Sequence, residues 1–165
     1  MDEGFDLAIR IGGLHNDDVV AKPLCLYRMV ICASPDYLAR HGEPHTPDDL
    51  QHHRCLSHMV WNANNEWKLP GTDGDLSWRR DPVFRCNDGQ ALRLAAVAGA
   101  GLLLQPEILL TDELANGKLV RVLTDFAPQP RQVWLLYRHQ RRPLPKLTRY
   151  IAHLLENINA WVELS

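Results

Sequence analysis

An α/β fold with largely parallel sheets is the class this chain predicts, and three observations carry that reading. The stretch Arg85–Pro106 is written as strand end, turn, helix, turn and strand, with almost no residue to spare. Apolar, β-rich segments alternate with helical patterns along the rest of the chain, the usual signature of layered α/β domains. Two segments, 19–33 and 126–137, stand where a chain would cross between two lobes. At 165 residues and 45% hydrophobic content, the chain suits one domain or two small lobes with a real core.

The central stretch fixes most of this. Asn87 and Asp88 are good helix-capping residues, able to accept hydrogen bonds from the first free amides. From Gln90 to Ala98 only Gln90 and Arg93 are polar, so the helix must be covered on more than one side. Gly99 and Gly101 supply its stop, where a left-handed backbone is cheap. Leu102–Leu104 then reads as a buried parallel strand that Pro106 ends. The helix start at 87–90 and the strand end at 105–106 therefore share one rim of a sheet, the rim at which open α/β folds bind ligands.

Taken in order, Phe5–Ile11 is a strand with almost no lead-in, which places it inside a sheet rather than at an edge. Gly12-Gly13 turns the chain. Val19–Ala33 is a long β-rich segment in which Pro23 signals an edge or a break. Ser34-Pro35 opens a short helix that Gly42 closes, and Thr46-Pro47 repeats the device with Asp48 and Asp49 in the first turn. Cys55–Trp61 is a strand, Trp67–Leu69 a short one, and Leu76–Cys86 an extended segment broken by Pro82. Glu107–Ala115 is a helix stopped at Asn116-Gly117, and Leu119–Leu123 and Val133–Tyr137 are strands. In the last helix Leu147, Tyr150, Ile151, Leu154, Leu155, Ile158, Trp161 and Val162 form one core-facing stripe.

Composition excludes several classes. With 18 basic and 20 acidic residues the chain has no broad electrostatic face for nucleic acid. Its four cysteines are scattered without a C-x-x-C pair, which argues against a disulfide framework and for a reducing compartment. The acidic start Met-Asp-Glu-Gly-Phe-Asp is no signal peptide, and no apolar run of about 18 residues exists to span a membrane. A cytoplasmic protein is the expectation.

Enzymatic motifs are absent: there is no G-x-S-x-G, P-loop or H-E-x-x-H. His41, His45, His52, His53 and His58 lie close to Cys55, but no second cluster completes four ligands, so the expectation is no metal and no cofactor. Cys86 beside Asn87 is either a reactive thiol at a helix start or, more simply, a buried structural cysteine. The ligand reading is better placed. Amides around Asp88, Gly89 and Gln90 suit a carboxylate or other anion, provided the Asp88 carboxylate is occupied by capping. Arg10 and the Gly12 backbone can face the same cleft, although a salt bridge is an equally good use of Arg10.

Four segments, Asp6–Gly12, Cys32–Leu38, Arg85–Pro106 and Leu114–Val122, also resemble in order and spacing the effector-binding half of a LysR-type transcriptional regulator. The resemblance spans nearly the whole chain. It implies a two-lobed domain like a type 2 periplasmic binding protein, with the first lobe incomplete. The first lobe would be 1–30 and 131–165, the second 31–130, with crossings near 28–33 and 126–137. It implies a small-molecule effector, with anions among the candidates, bound in an inter-lobe cleft by Arg10, Ile11, Gly12, His58, Trp61, Asn87, Asp88, Gln105 and Pro106. Helix residues Gln90, Ala91, Arg93, Leu94, Val97 and Ala98 would form a homodimer or tetramer surface. Promoter DNA would be bound only through a helix-turn-helix domain that this sequence lacks. Two other classes share such an architecture. A transporter's solute-binding protein should carry a signal peptide, and an enzyme should carry a nucleophile–base pair or metal ligands.

Overall fold

The computed structural model describes residues 6–14, 19–59, 66–71, 74–79, 81–138 and 145–162. In chain order the elements begin with β1 (Leu7–Ile11), β2 (Val19–Tyr27), β3 (Met29–Ala33), α1 (Pro35–His41), β4 (Cys55–His58), β5 (Glu66–Gly71) and β6 (Gly74–Arg79). They continue with β7 (Phe84–Cys86), α2 (Gly89–Val97), β8 (Leu102–Pro106), α3 (Thr111–Ala115), β9 (Val120–Arg121), β10 (Arg131–Arg138) and α4 (Pro145–Val162). The chain divides into two units, Met1–Tyr27 with Pro130–Ser165, and Arg28–Gln129.

In the first unit β10 lies between β1 and β2, and both pairings are antiparallel. Alternation sends Val133, Leu135 and Tyr137 to one face, where Leu147, Ile151, Leu154, Leu155 and Ile158 of α4 pack against them with Leu24. Trp134 and Leu136 project to the other face. Pro23 falls on the edge strand β2, and the register with β10 slips by one residue at Val133/Trp134, so Leu24 is the extra residue of a bulge. That is where a residue without an amide hydrogen is tolerated.

Two expectations fail here. Among the described residues β1 is an edge strand with one neighbour, and Ile9 and Ile11 are exposed along it. Tyr150 is also exposed, because only the side of α4 that meets the sheet is buried; the side chains of Trp161 and Val162 lie outside the described residues.

The second unit holds a five-stranded sheet in the order β7-β4-β8-β3-β9. Only β4 with β7 and β4 with β8 are parallel; β3 runs antiparallel to both β8 and β9. The α/β class stands, but the sheets are mixed rather than largely parallel. The parallel part is the crossover β7–α2–β8, which the sequence spelled out; β3 runs the other way beside β8, and β9, antiparallel to β3, again runs in the direction of β8. Cores lie on both faces. Ile31, Ala33, Leu102 and Leu104 join Tyr37, Leu50, Trp67 and Leu69 on one, while Val30, Cys32, Leu56 and Leu103 join Leu92, Ala96, Leu110 and Leu119 on the other. Burial on both faces explains the uninterrupted run Leu102–Leu104.

Local signals worked where capping chemistry decides the backbone. Ser34 accepts from the Tyr37 amide, Pro35 opens α1, and Gly42 ends it at φ +82°. Thr46 and Asp49 form a capping box, but the segment Pro47–His52 is a 3₁₀ helix. Gly99 does adopt a left-handed conformation at φ +75°. Gly101 does not; a Cβ there would stand 2.4 Å from the Arg54 carbonyl oxygen, so it is glycine for close approach. Around Trp67 the expected single short strand is a hairpin, β5 with β6. The helix expected over Glu107–Ala115 is a 3₁₀ turn at Glu107–Leu109 and the five-residue α3. Leu119–Leu123 contributes only the two residues of β9, since Leu123 turns the chain at φ +51°.

Candidate functional site

In the second unit the C-terminal ends of the three parallel strands converge under the start of α2. His58 is in register with Cys86, and the pairing of Leu56 with Leu103 carries Gln105 to the other side of His58 two residues on. Cys86, His58 and Gln105 therefore form a row on the face that α2 covers. His58 is 5% exposed and Gln105 fully buried. Gln105 Nε2 donates to the Gly89 carbonyl at 2.9 Å, while its Oε1 is buried without a partner, as is Ser57 Oγ on the neighbouring strand. The Asp88 carboxylate accepts from the Gln90 amide at 2.8 Å, so it caps α2. The Asp88 amide in turn donates to Cys86 Sγ at 3.4 Å. Asn87 is exposed beside this cap, and Pro106 closes β8. Of the residues expected on this side, the structure brings together His58, Asp88, Gln105 and Pro106, with Asn87 at the rim. Trp61 lies outside the described residues.

In the first unit Arg10, Ile11 and Gly12 do come together, around an open pocket of about 660 Å³. Gly12, at φ +96°, donates its amide to the Gln132 carbonyl at 2.9 Å and accepts Trp134 Nε1 at 3.0 Å on its own carbonyl. Among the described residues, Gly13, Leu14, Arg131, Gln132 and Trp134 also line it. Sequence reasoning missed Arg131, Gln132 and Trp134. For Gln132 and Trp134 the available signal was their alternation with Val133 and Leu135 in a strand otherwise read only as a crossing; Arg131 falls on the same side as Val133.

The α2 surface is mixed. Leu92 and Ala96 face the core, Ala91, Arg93 and Val97 are half-buried, and Gln90, Leu94 and Ala98 are exposed. Leu94 is 61% exposed, so the helix is covered on one side and bare at Leu94. Arg93 pairs with Glu113 at 2.8 Å, tying α2 to α3. Ile108 nearby in sequence to α3 is 54% exposed.

The histidines of the 41–58 segment separate by role. His53 Nδ1 lies 3.1 Å from the buried Tyr37 hydroxyl, which also accepts the Arg54 amide at 2.8 Å. Burial and the neighbouring His41 charge push the His53 pKa below the usual imidazole value. The His41 ring packs on Tyr37 at 4.6 Å, and the His45 amide donates to Asp49. Among the described residues no group of three or more His, Cys, Asp or Glu is placed to hold a metal ion. All four cysteines are free thiols, and burial raises the pKa of Cys32 to about 12. Among the described residues no helix is long and apolar enough to cross a membrane.

Comparison with known proteins accounts for this arrangement. Residues 1–159 match the model of the LysR substrate binding domain. The chain is 34% identical over 147 residues to YhjC, a helix-turn-helix-type transcriptional regulator of Escherichia coli K12, covering 87% of this chain and 48% of that protein. It is 34% identical over 137 residues to the transcriptional activator AaeR of the same organism, covering 82% and 44%. The chain thus spans about half the length of the curated relatives it matches. The regulatory domain of AphB from Vibrio vulnificus, treated with cumene hydroperoxide, superposes with a TM-score of 0.83 at 25% identity, covering 92% of this chain and 75% of that one. The regulatory domain of CrgA, a LysR-type regulator from Neisseria meningitidis, does so at 0.76 and 27%, covering 93% and 75%. These similarities do not support a transporter's solute-binding protein or an enzyme. The chain belongs to the LysR substrate-binding domain family.

Proposed function

We propose that this chain is the effector-sensing part of a cytoplasmic transcriptional regulator that binds promoter DNA through a separate helix-turn-helix domain and performs no catalysis. The observation that carries the reading is the row of His58 and Gln105 beneath the α2 start, with the Asp88 carboxylate occupied by capping. Asn87, Asp88, Gln105, Pro106, His58 and Trp61 are the proposed effector contacts of the second unit, and Arg10, Ile11 and Gly12 those of the first. Small molecules are the ligand class, with anions favoured by the helix start and by Arg10. Gln90, Ala91, Arg93, Leu94, Val97 and Ala98 are the proposed self-association surface, supported by the exposed Leu94. Effector binding would shift the population of oligomer arrangements rather than drive a reaction.

The test joins the chain to a helix-turn-helix domain in a promoter–reporter strain and screens small molecules for a change in transcription. The reading requires a response that Asn87→Ala or Arg10→Gln weakens while DNA occupancy persists. A response untouched by substitution at every proposed contact would overturn it.

A further inference from the structure

Among the described residues the sheet of the first unit has two edges, β1 and β2, and they are built differently. β2 is guarded: Pro23 has no amide hydrogen to offer, Lys22 precedes it, and the register slips at the bulge beside it. β1 carries none of these devices. Its sequence is Leu7-Ala-Ile-Arg-Ile11, and Arg10 is its only charge.

The backbone phase of β1 follows from the residue after it. The Gly12 amide donates to the Gln132 carbonyl at 2.9 Å, so Gly12 turns its polar groups towards β10. Successive residues of a strand turn them to opposite sides. Ala8 and Arg10 therefore bond to β10, whereas Leu7, Ile9 and Ile11 point their N–H and C=O groups outwards. Among the described residues nothing meets those groups. The side chains of the same residues lie opposite Tyr137, Leu135 and Val133, on the face that α4 covers. α4 packs over β10 and β2 and leaves Ile9 57% and Ile11 45% exposed. Unpaired backbone and bare apolar side chains thus coincide at the same positions.

From this we infer that β1 is a self-pairing edge, which takes the β1 of a second copy of this chain antiparallel, Ile9 opposite Ile9. In that register Leu7 of each copy stands opposite Ile11 of the other, so every outward N–H meets an outward C=O. Arg10 stands opposite Ala8, and no charge faces its own sign. Sliding the pair by two residues in one direction sets Arg10 against Arg10, and in the other leaves Ile11 unpaired. Directly opposite residues share a face, so Leu7, Ile9 and Ile11 of both copies form one apolar strip between the two α4 helices. An edge this short buries less than a standard interface, so the pairing is weak, with a Kd of about 100 µM. It is separate from the α2 surface and joins copies only at higher concentration.

Sedimentation equilibrium of the Leu94→Glu chain tests it, because that variant removes association through α2. The mass is expected to rise from monomer at about 10 µM towards dimer at about 1 mM. Hydrogen exchange is expected to slow at Ile9 and Ile11 over the same range, with Arg10 protected throughout. Ile9→Pro takes away an outward N–H that bonds nothing in the single copy, and Ile9→Lys charges an exposed side chain, so both leave the fold in place. Each is expected to weaken pairing about tenfold or more. Leu26→Lys, on the β2 edge, is expected to leave it unchanged. A chain still monomeric at about 1 mM overturns the proposal and leaves the edge to a strand of another protein. A dimer that persists in both Ile9 variants, or whose protection lies away from β1, overturns it as well.

Discussion

Gln105 Nε2 donates to the Gly89 carbonyl at 2.9 Å, so the end of β8 is tied directly to the first residue of α2. The same amide leaves Oε1 buried without a partner, and a Cβ on Gly89 would stand 2.6 Å from Nε2. The contact fixes the distance between strand end and helix start, which is the geometry the proposed second-unit contacts depend on. It also sets up losses of different size for two substitutions of similar volume. Gln105→Leu loses one hydrogen bond but removes the orphaned oxygen, and should cost only about 1 kcal/mol. Gln105→Glu buries a carboxylate facing a carbonyl oxygen and should cost about 3 kcal/mol or more at neutral pH. Urea unfolding of the two variants checks the order; a reversed order would mean the amide's free oxygen has a partner.

Two neighbouring glycines should respond differently to alanine. Gly101→Ala places a methyl 2.4 Å from the Arg54 carbonyl oxygen, which already accepts the Leu102 amide at 2.8 Å. Neither backbone can yield easily, so a loss of about 3 kcal/mol is expected. At Gly99 the obstacle is the left-handed φ and the end of the flexible Arg40 side chain, so Gly99→Ala should cost about 1–2 kcal/mol. Thermal unfolding of the pair measures the difference, and equal losses would refute the close-approach account of Gly101.

How far the sequence was legible follows the same division between local and non-local causes. The caps at Ser34 and Asp88 and the turn at Gly99 were readable because each is decided by a few adjacent atoms. The α2 unit was readable because nearly every residue from Arg85 to Pro106 constrains the same strand–helix–strand path. Strand direction was not readable: Val30–Ala33 is equally apolar whether β8 runs with it or against it, and it runs against it. Nor was the β5–β6 pairing, since Pro70, Gly71 and Gly74 look like a loop until Trp67 and Leu69 are seen in a core. At the candidate site, Arg10 and Gln105 could be picked out from their strand ends. Gln132 and Trp134 could not, because only the pairing of β1 with β10 carries them to Arg10 and Gly12.

Acid should weaken the second unit through His53. Its pKa is lowered in the folded chain by burial and by His41, so the unfolded chain takes up the proton first as pH falls. The neutral ring's contribution is therefore fully present above the unfolded value of about 6.5 and declines as pH drops below it. Urea midpoints measured from pH 7.5 to 5 should fall below about pH 6.5 and should fall less steeply in His53→Gln. A parallel decline in both proteins would assign the effect to other groups.

Self-association through α2 predicts a simple change in mass. Light scattering should show the chain as a dimer or larger species at micromolar concentration. Leu94→Glu, which places a charge on the exposed apolar position, should shift it to monomer by weakening association about a hundredfold. Hydrogen exchange over Gln90–Ala98 should speed up in the same variant. An unchanged mass would exclude this helix face as the contact.

The central claim is that the chain senses a small molecule through the α2 start and the Arg10–Gly12 turn. Its most direct test is a ligand-observed NMR screen of small anionic and neutral metabolites against the chain, with amide shifts mapped for each hit. The account predicts hits whose shifts concentrate at residues 87–91 and 105–106 or at 10–13. Hits whose shifts fall elsewhere, or no hit across the library, would contradict it.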